Sequence, residues 1–241
     1  MSAPQLHPAL SRSDSVQIIY RPVLQGKIPD IPDPDDLNYI QNKIWWKEQT
    51  KRCTEGWIAP NGVFINPIYY FYLNFVKVYV IDELNKKTPG WQNPYVRDGD
   101  KEYFDAVYYG MAYESQGISY DAKNVIVAKG RRKGWTTAEL YGITLWFFLF
   151  KQGFNISRAY PNDKIKKKER RLFTKCYDMI HPFFKYNVND QAIDILENNE
   201  DTVAQWTYSY SSSGKQEKNE LVNSISFFTV GADGGGVRGD A

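Results

Sequence analysis

Cysteine, histidine and long apolar runs are scarce in this sequence, and each scarcity argues against a class of protein. Among 241 residues there are two cysteines and two histidines, and neither pair is close in sequence. A structural zinc site is therefore not expected. Cys53 and Cys176 are typical of reduced thiols in an intracellular protein, with a single disulfide between them as the alternative.

Signal peptides and membrane spans are also missing from the sequence. Residues 1–15 are polar and lack an apolar core, and the longest apolar run, residues 145–150, is too short to cross a bilayer. The net charge is only +2, so any contact with nucleic acid would depend on local basic patches. These features predict a soluble, intracellular protein with no membrane partner.

Apolar and aromatic residues are abundant, at 42% and 16% of the chain, which is enough to build a sizeable core. Residues 1–36 include a run rich in proline and aspartate and predict a flexible arm. Residues 37–120 predict an aromatic-rich subregion of helices and strands. Residues 121–241 predict an α/β domain with a mostly parallel sheet that begins at Val125.

Hydrophobic spacing and turn residues predict the main elements of both regions. Helix caps are expected at Asp36 and Asp100. Residues 68–75 fit either a helix or a strand. The other expected helices cover residues 37–51, 101–115, 136–150 and 164–181, and the expected strands cover residues 76–81, 124–128, 154–159 and 224–230, with further strand and turn material over 187–210.

A basic, glycine-containing loop at residues 129–136 separates an expected strand from an expected helix. The standard phosphate-binding loop reads G-x-x-x-x-G-K-[ST] and occupies this place in a strand–loop–helix unit. In this chain Gly134 and Thr136 fit that pattern. Trp135 takes the lysine position, however, and Lys129 takes the first glycine position. The alternative interpretation is a basic surface turn.

The loop still has the chemistry of a site for ATP and Mg²⁺. Phosphate needs a nearby cation, and Lys129, assisted by Arg132 or Lys133, can supply it from the front of the loop. Thr136 opens the helix and is the expected magnesium ligand. Backbone N–H groups at the helix N-terminus favour the anion. The expected nucleotide-binding residues are Lys129, Gly130, Arg131, Arg132, Lys133, Gly134, Trp135, Thr136 and Thr137.

The order Lys-x-x-Arg-x-Gly-aromatic-[Ser/Thr] resembles the variant Walker A motif of the large terminase subunits of tailed bacteriophages. These proteins are ATP-driven motors that package viral DNA. In the variant motif the lysine stands at the front of the loop and an aromatic residue precedes the hydroxyl. The residues that match it position by position are Lys129, Arg132, Gly134, Trp135 and Thr136.

Two further stretches are similar to the terminases of large phages. One runs from Trp46 through residues 52–56 to residues 70–74. The other is residues 231–240, where the family has an Arg-Gly segment just ahead of its Walker B strand. The resemblance therefore spans most of the chain, from near residue 40 onward.

The resemblance implies a P-loop NTPase fold of the ASCE, RecA-like type, of which this chain would hold an incomplete part. It also implies ATP and Mg²⁺ as cofactors and double-stranded viral DNA as a partner. The portal and the small terminase subunit would be further partners of a homo-oligomeric ring in the host cytoplasm. Lys129 and Arg132 would be catalytic residues that hold phosphate. Arg238 would be an arginine finger or else a tail residue without a role.

A Walker B motif, an apolar strand that ends in Asp-Glu, completes such a site. Residues 78–83 carry this string, but they precede the loop, so an ordinary strand ending in a polar turn is the favoured interpretation. No such string follows Thr136. Residues 121–241 are therefore expected to be the first part of an ATPase domain, which binds nucleotide without hydrolysing it efficiently, whereas the full-length protein is an ATPase.

A basic segment follows the loop, with seven basic residues and one acidic residue between Lys164 and Lys175. In a DNA motor this helix would face phosphates without sequence preference, and Phe173, Cys176 and Ile180 would form its buried side. The alternative is a solvated helix face. The expected DNA contacts are Lys164, Lys166, Lys167, Lys168, Arg170 and Arg171.

Two other functions fit the same residues. One is another ATPase of the same broad class, such as a helicase, which downstream helicase motifs would reveal. The other is a non-catalytic module for nucleic-acid binding or assembly, in which the basic loop is only a surface turn. Nucleotide binding by the loop separates the second alternative from the first.

Overall fold

The structure is a computed structural model. The described residues are 27–60, 62–80, 90–94, 98–115, 137–151, 153–185, 191–195, 202–212 and 215–230. The chain divides into two units, one with Met1–Val78 and Gln92–Ile143 and the other with Tyr79–Trp91 and Thr144–Ala241.

Helices and strands are mixed along the described parts of the chain. The helical elements are α1 (Tyr39–Glu55), α2 (Pro67–Phe75), α3 (Asp98–Ser115), a π-helical segment (Ala138–Thr144), α4 (Leu145–Phe150), α5 (Asp163–Asp178) and α6 (Pro182–Lys185). The strands are β1 (Trp57–Ile58), β2 (Phe64–Ile65), β3 (Val78–Val80), β4 (Gly90–Gln92), β5 (Asn155–Tyr160), β6 (Gln191–Ile195), β7 (Thr202–Ser212) and β8 (Lys215–Thr229). This mixture confirms the general expectation of helices combined with sheets.

The first unit is built around α2, in which all nine residues are buried. Asn66 precedes the helix, and its side-chain oxygen accepts a hydrogen bond from the N–H of Tyr69 at 2.8 Å. Pro67 takes the first helical position, where its missing N–H costs nothing. The segment that fits either a helix or a strand by sequence is thus a helix. Because it has no solvent-facing side, no periodicity distinguishes the two.

Helix α1 packs against α2 through aromatic and polar side chains. Trp46 is 1% exposed and packs within this core. The hydroxyl of Tyr70 donates to Gln49 Oε1 at 2.6 Å, and burial raises the pKa of Tyr70 to about 12. The guanidinium of Arg52 lies over the rings of Trp57 and Tyr70, at 5.0 and 5.8 Å from their centroids. The first of the two stretches that resemble phage terminases, from Trp46 to residues 70–74, therefore lies within one core.

The segment before α1 belongs to the predicted arm, of which residues 1–26 lie outside the described residues. Residues 27–36 form neither a helix nor a strand. The carboxylate of Asp36 accepts a hydrogen bond from the N–H of Asn38 at 2.9 Å, immediately before the first helical residue, Tyr39. The cap predicted at Asp36 is therefore wrong: Asn38 precedes the helix, no side chain caps it, and Asp36 instead holds the turn that leads into it.

Helix α3 confirms the expected helix, but the cap predicted at Asp100 is wrong. The helix begins at Asp98, and Asp100 lies in its first turn with 2% of its surface exposed. The next residue, Lys101, forms a buried ion pair with Asp105 one turn further on, with 2.5 Å between Nζ and Oδ2. Asp105 also accepts a hydrogen bond from the amide of Asn66 at 2.7 Å. The first turn of α3 is thus fixed by buried polar contacts, which a cap pattern does not reveal.

The second unit contains a four-stranded sheet in the order β5-β8-β7-β6. Strand β5 pairs with β8 in parallel, whereas β8 with β7 and β7 with β6 are antiparallel. Among the described strands, the predicted parallel pairing is therefore met only between β5 and β8. The difference comes from the long β7–β8 hairpin, because β8 begins at Lys215, well before its predicted start. The expected strand 124–128 lies outside the described residues.

A buried asparagine joins α4 to this sheet. Asn223 of β8 is 0% exposed, and its amide donates to the carbonyl oxygens of Phe148 at 2.9 Å and Lys151 at 2.5 Å. Its side-chain oxygen accepts from the N–H of Phe154 at 2.9 Å. One side chain therefore satisfies carbonyl groups at the end of α4, which lack partners within the helix.

Helix α5 covers the parallel part of the sheet. Asn162 caps it by accepting a hydrogen bond from the N–H of Ile165 at 3.0 Å. The expected buried side is confirmed, since Phe173, Cys176 and Ile180 are at most 1% exposed. The ring of Phe173 meets the edge of Phe227 in β8, with 5.7 Å between centroids. The helix ends at Asp178, earlier than predicted, and α6 follows.

The cysteines and the helices bear on two expectations, that the thiols are reduced and that no segment crosses a membrane. Cys53 and Cys176 are both buried thiols, and no disulfide joins them. Burial raises the pKa of the Cys53 thiol well above its ordinary value. Within the described ranges, no helix has both the length and the apolar character that a membrane crossing requires.

Candidate functional site

The predicted nucleotide loop, residues 129–136, and Arg238 lie outside the described residues. Thr137 is the first described residue after the loop; it is helical and half-buried. The roles assigned to the loop residues in phosphate and Mg²⁺ binding therefore stay predictions. The helix expected to follow the loop is confirmed over residues 137–150.

The first part of this helix is π-helical, from Ala138 to Thr144. π-Helical turns are rare, and they are frequent at functional sites. Gly142 lies within the segment, and a Cβ at this position would come within 2.6 Å of Cζ in the Phe104 ring. No side chain fits there without movement of that ring. Gly142 thus packs closely against Phe104 within the first unit.

The basic residues expected on α5 are described, and most of them share one face. Their spacing of three or four positions places them on the side of the helix opposite Phe173. The distance from Lys164 to Lys175 along the helix is about 16 Å. We call this exposed set the basic face of α5, and its members are Lys164, Lys167, Lys168, Arg171 and Lys175.

Two of the predicted DNA contacts differ from the others. Lys166 forms an ion pair with Asp163, with 3.6 Å between Nζ and Oδ1, and only 15% of its side chain is exposed. Arg170 is half-buried. The acidic residue of the segment, Glu169, is also half-buried, and burial raises its pKa against the opposing effect of Lys168. Glu169 therefore does not interrupt the exposed basic face, although it lies among the basic residues in the sequence.

A groove of about 690 Å³ lies along one flank of α5. The described residues that line it are Lys167, Arg170, Arg171, Thr174, Lys175 and Asp178. The sequence-based selection includes the first three of these and misses Thr174 and Lys175. Positions 3, 4, 7 and 8 after Lys167 lie on one side of a helix, so helical spacing was the signal that could have found them.

The first turn of α5 is tied to the end of β8. The carboxylate of Asp163 accepts a hydrogen bond from the hydroxyl of Thr229 and also faces Lys166. Thr229 first, and then Lys166, lower the pKa of Asp163. In open α/β sheets, ligands bind beyond the carboxyl ends of the parallel strands, and this is the end at which β5 and β8 stop. The position of α5 is thus fixed at the edge of the sheet where a ligand is expected.

Metal binding has no described candidate. In the part of the chain that the structure covers, no group of three or more histidine, cysteine, aspartate or glutamate residues is placed to hold a metal ion. The predicted Mg²⁺ ligand, Thr136, lies outside that part.

Comparisons with models of known protein families, with curated proteins and with solved structures find no significant match to this chain.

Proposed function

We propose that this chain contains the ATP-binding part of a large terminase subunit, the motor that packages viral DNA into procapsids. The observation that carries the proposal is the loop Lys-Gly-Arg-Arg-Lys-Gly-Trp-Thr at residues 129–136, which leads directly into a largely buried helix. Phosphate-binding loops have this order, with the N-terminus of the helix directed at the phosphates.

Each residue of the loop has a defined role in the proposal. Lys129 and Arg132 neutralise the phosphates, Gly134 allows the backbone to approach them, and Thr136 holds Mg²⁺. Arg238 approaches the γ-phosphate as an arginine finger. A P-loop NTPase fold of the ASCE type belongs to the same proposal. The parallel pairing of β5 with β8 supports it, since α5 lies between these strands in the chain.

The proposed motor works on double-stranded DNA. Its ring of identical subunits would stand on the portal and receive DNA through the small terminase subunit. The cations of the basic face that line the groove, Lys167, Arg171 and Lys175, support contact with DNA because they are exposed and have no base-specific arrangement.

A nucleotide titration tests the proposal. We expect the 241-residue chain to bind a fluorescent ATP analogue in the presence of Mg²⁺, measured by anisotropy. Lys129→Ala should weaken binding by about tenfold or more, because a charge-assisted contact with phosphate is lost. Lys47→Ala removes an exposed lysine of α1 and should bind as the wild type does. Equal affinity in wild type and Lys129→Ala, or no binding by either, would contradict the proposal.

A non-catalytic nucleic-acid-binding module is the second candidate function. The observation that favours it is again the basic face of α5, which attracts phosphates without any need for a nucleotide. Such a module would bind DNA equally well in the wild type and in Lys129→Ala, and neither protein would bind ATP. The same titration therefore decides between the two candidates.

A further inference from the structure

We propose that the groove along α5 holds the phosphate backbone of duplex DNA, with Lys167, Arg171, Thr174 and Lys175 as the contacting residues. The proposal deepens the proposed motor function, and it rests on that function only for the choice of duplex DNA. The charge of the described lining supports a polyanion without it.

The chemistry of the groove fits phosphate oxygens. Its described lining contains four cationic side chains, one hydroxyl and one carboxylate. The guanidinium of Arg171 can donate two parallel hydrogen bonds to one phosphate, and the hydroxyl of Thr174 can donate a third. The lysine ammonium groups contribute charge with little demand on geometry. The carboxylate, Asp178, lies at the carboxyl end of the helix, where it limits the anionic ligand to the turns before it.

The length of the groove favours an extended ligand over a single phosphate. Lys167, Arg171 and Lys175 follow one another at intervals of one helical turn, so that the set spans about 12 Å. Each strand of duplex DNA carries one charge per about 3.4 Å of axis. A backbone lying along the helix would thus present about three phosphates to these three turns, whereas a free phosphate would meet one turn only.

Other polyanions fit the described lining less well. Single-stranded nucleic acid is usually held by aromatic side chains on which bases stack, and the described residues of the groove include none. A helix that lies on a membrane needs an exposed apolar side. The main apolar side of α5 is instead turned to the sheet, where Phe173 contacts Phe227.

The same helix supplies a matched control. Lys164 and Lys168 are exposed on α5 but do not line the groove, whereas Arg171 and Lys175 do. The double variants Lys164→Gln/Lys168→Gln and Arg171→Gln/Lys175→Gln therefore remove the same charge from the same helix. All four side chains are exposed, so neither variant should lose its fold, which circular dichroism and thermal unfolding check.

The experiment measures binding of the full 241-residue chain to a labelled 25-base-pair duplex between 50 and 300 mM NaCl. We expect the logarithm of the binding constant to fall with the logarithm of salt concentration with a slope of about −3 or steeper. Arg171→Gln/Lys175→Gln should weaken binding at least tenfold near 0.1 M salt and make the slope shallower by about 2. Lys164→Gln/Lys168→Gln should weaken it less than about threefold, because those lysines act only at a distance.

Different outcomes would contradict the DNA-binding groove and the nucleotide site. Equal losses in the two double variants, or no binding by the wild type at 50 mM salt, overturn the proposal. So does tighter binding to a single strand of the same length or to phosphatidylserine vesicles. The groove variant should still bind the ATP analogue as the wild type does. Loss of ATP binding in Lys129→Ala with DNA binding intact leaves the groove supported, and absence of ATP binding altogether counts against the nucleotide site alone.

Discussion

Helices α2 and α5 begin in the same way but use their side chains differently. In each, an asparagine precedes the helix and accepts a hydrogen bond from the N–H three residues later, at 2.8 Å for Asn66 and 3.0 Å for Asn162. All of α2 is buried and uncharged, with five aromatic residues among its nine. In α5, one side is buried against the sheet and the other carries the basic face.

The comparison distinguishes side chains that stabilise the fold from side chains that are available to a binding partner. A helix such as α2 has no surface on which to bind anything, so its substitutions act on folding. The basic face of α5 contributes little to packing, so its substitutions act on binding. Three experiments test this division, with expected effects that range from several kcal/mol to a shift in one pKa.

The largest effect is expected from Phe71→Ala in α2. Phe71 is 0% exposed and stacks on Phe75, with 6.4 Å between ring centroids. Its truncation should lower the free energy of unfolding by about 3–5 kcal/mol, measured by urea denaturation, because it leaves a cavity in the aromatic core. Ile44→Ala, at a side chain 64% exposed on α1, should change it by less than about 0.5 kcal/mol. A similar small change for both would refute a rigid core around α2.

An intermediate effect is expected from Asn223→Ala in the second unit. The change removes one donor group and one acceptor that serve three backbone groups at the end of α4 and the start of β5. Leaving these groups unsatisfied should lower the free energy of unfolding by about 1–3 kcal/mol. Asn155→Ala, at an exposed asparagine of β5, is the control and should cost less than about 0.5 kcal/mol. Equal costs would mean that water replaces the Asn223 contacts.

The sequence predicts a helix or a strand well when one of its sides is apolar and the other is polar. α3 and α5 are predicted closely because apolar residues recur at helical spacing, whereas the helix at residues 137–150 is predicted from its place after the loop and its apolar composition. Periodicity cannot identify α2, since every side is apolar. The early part of β8 is missed for the opposite reason: residues 215–220 are mostly polar or charged, and only pairing with β7 makes them a strand.

The candidate site is predictable to a similar extent. Helical spacing and charge identify Lys167 and Arg171 without a structure. Spacing and charge do not show that Lys166 is engaged in an ion pair. Its partner, Asp163, is positioned by Thr229, a residue distant in sequence. The loop at residues 129–136 stays a sequence-based prediction.

The smallest effect is expected at Asp163, whose hydrogen bond with Thr229 is exposed to solvent. Its pKa lies below the ordinary value, first because the Thr229 hydroxyl donates a hydrogen bond to it and then because of Lys166. A lowered pKa in the folded state stabilises the fold above the unfolded pKa of about 3.9, and that contribution is lost as the pH falls through the folded value. Thr229→Val should raise the pKa of Asp163 toward the ordinary value, measured by carbon-13 NMR titration of its carboxyl group. Thr174→Val, on the same helix but away from Asp163, should leave it unchanged. If Thr229→Val does not move the pKa, then Lys166 and Lys167 hold Asp163, and the first turn of α5 is fixed from within the helix rather than by the sheet.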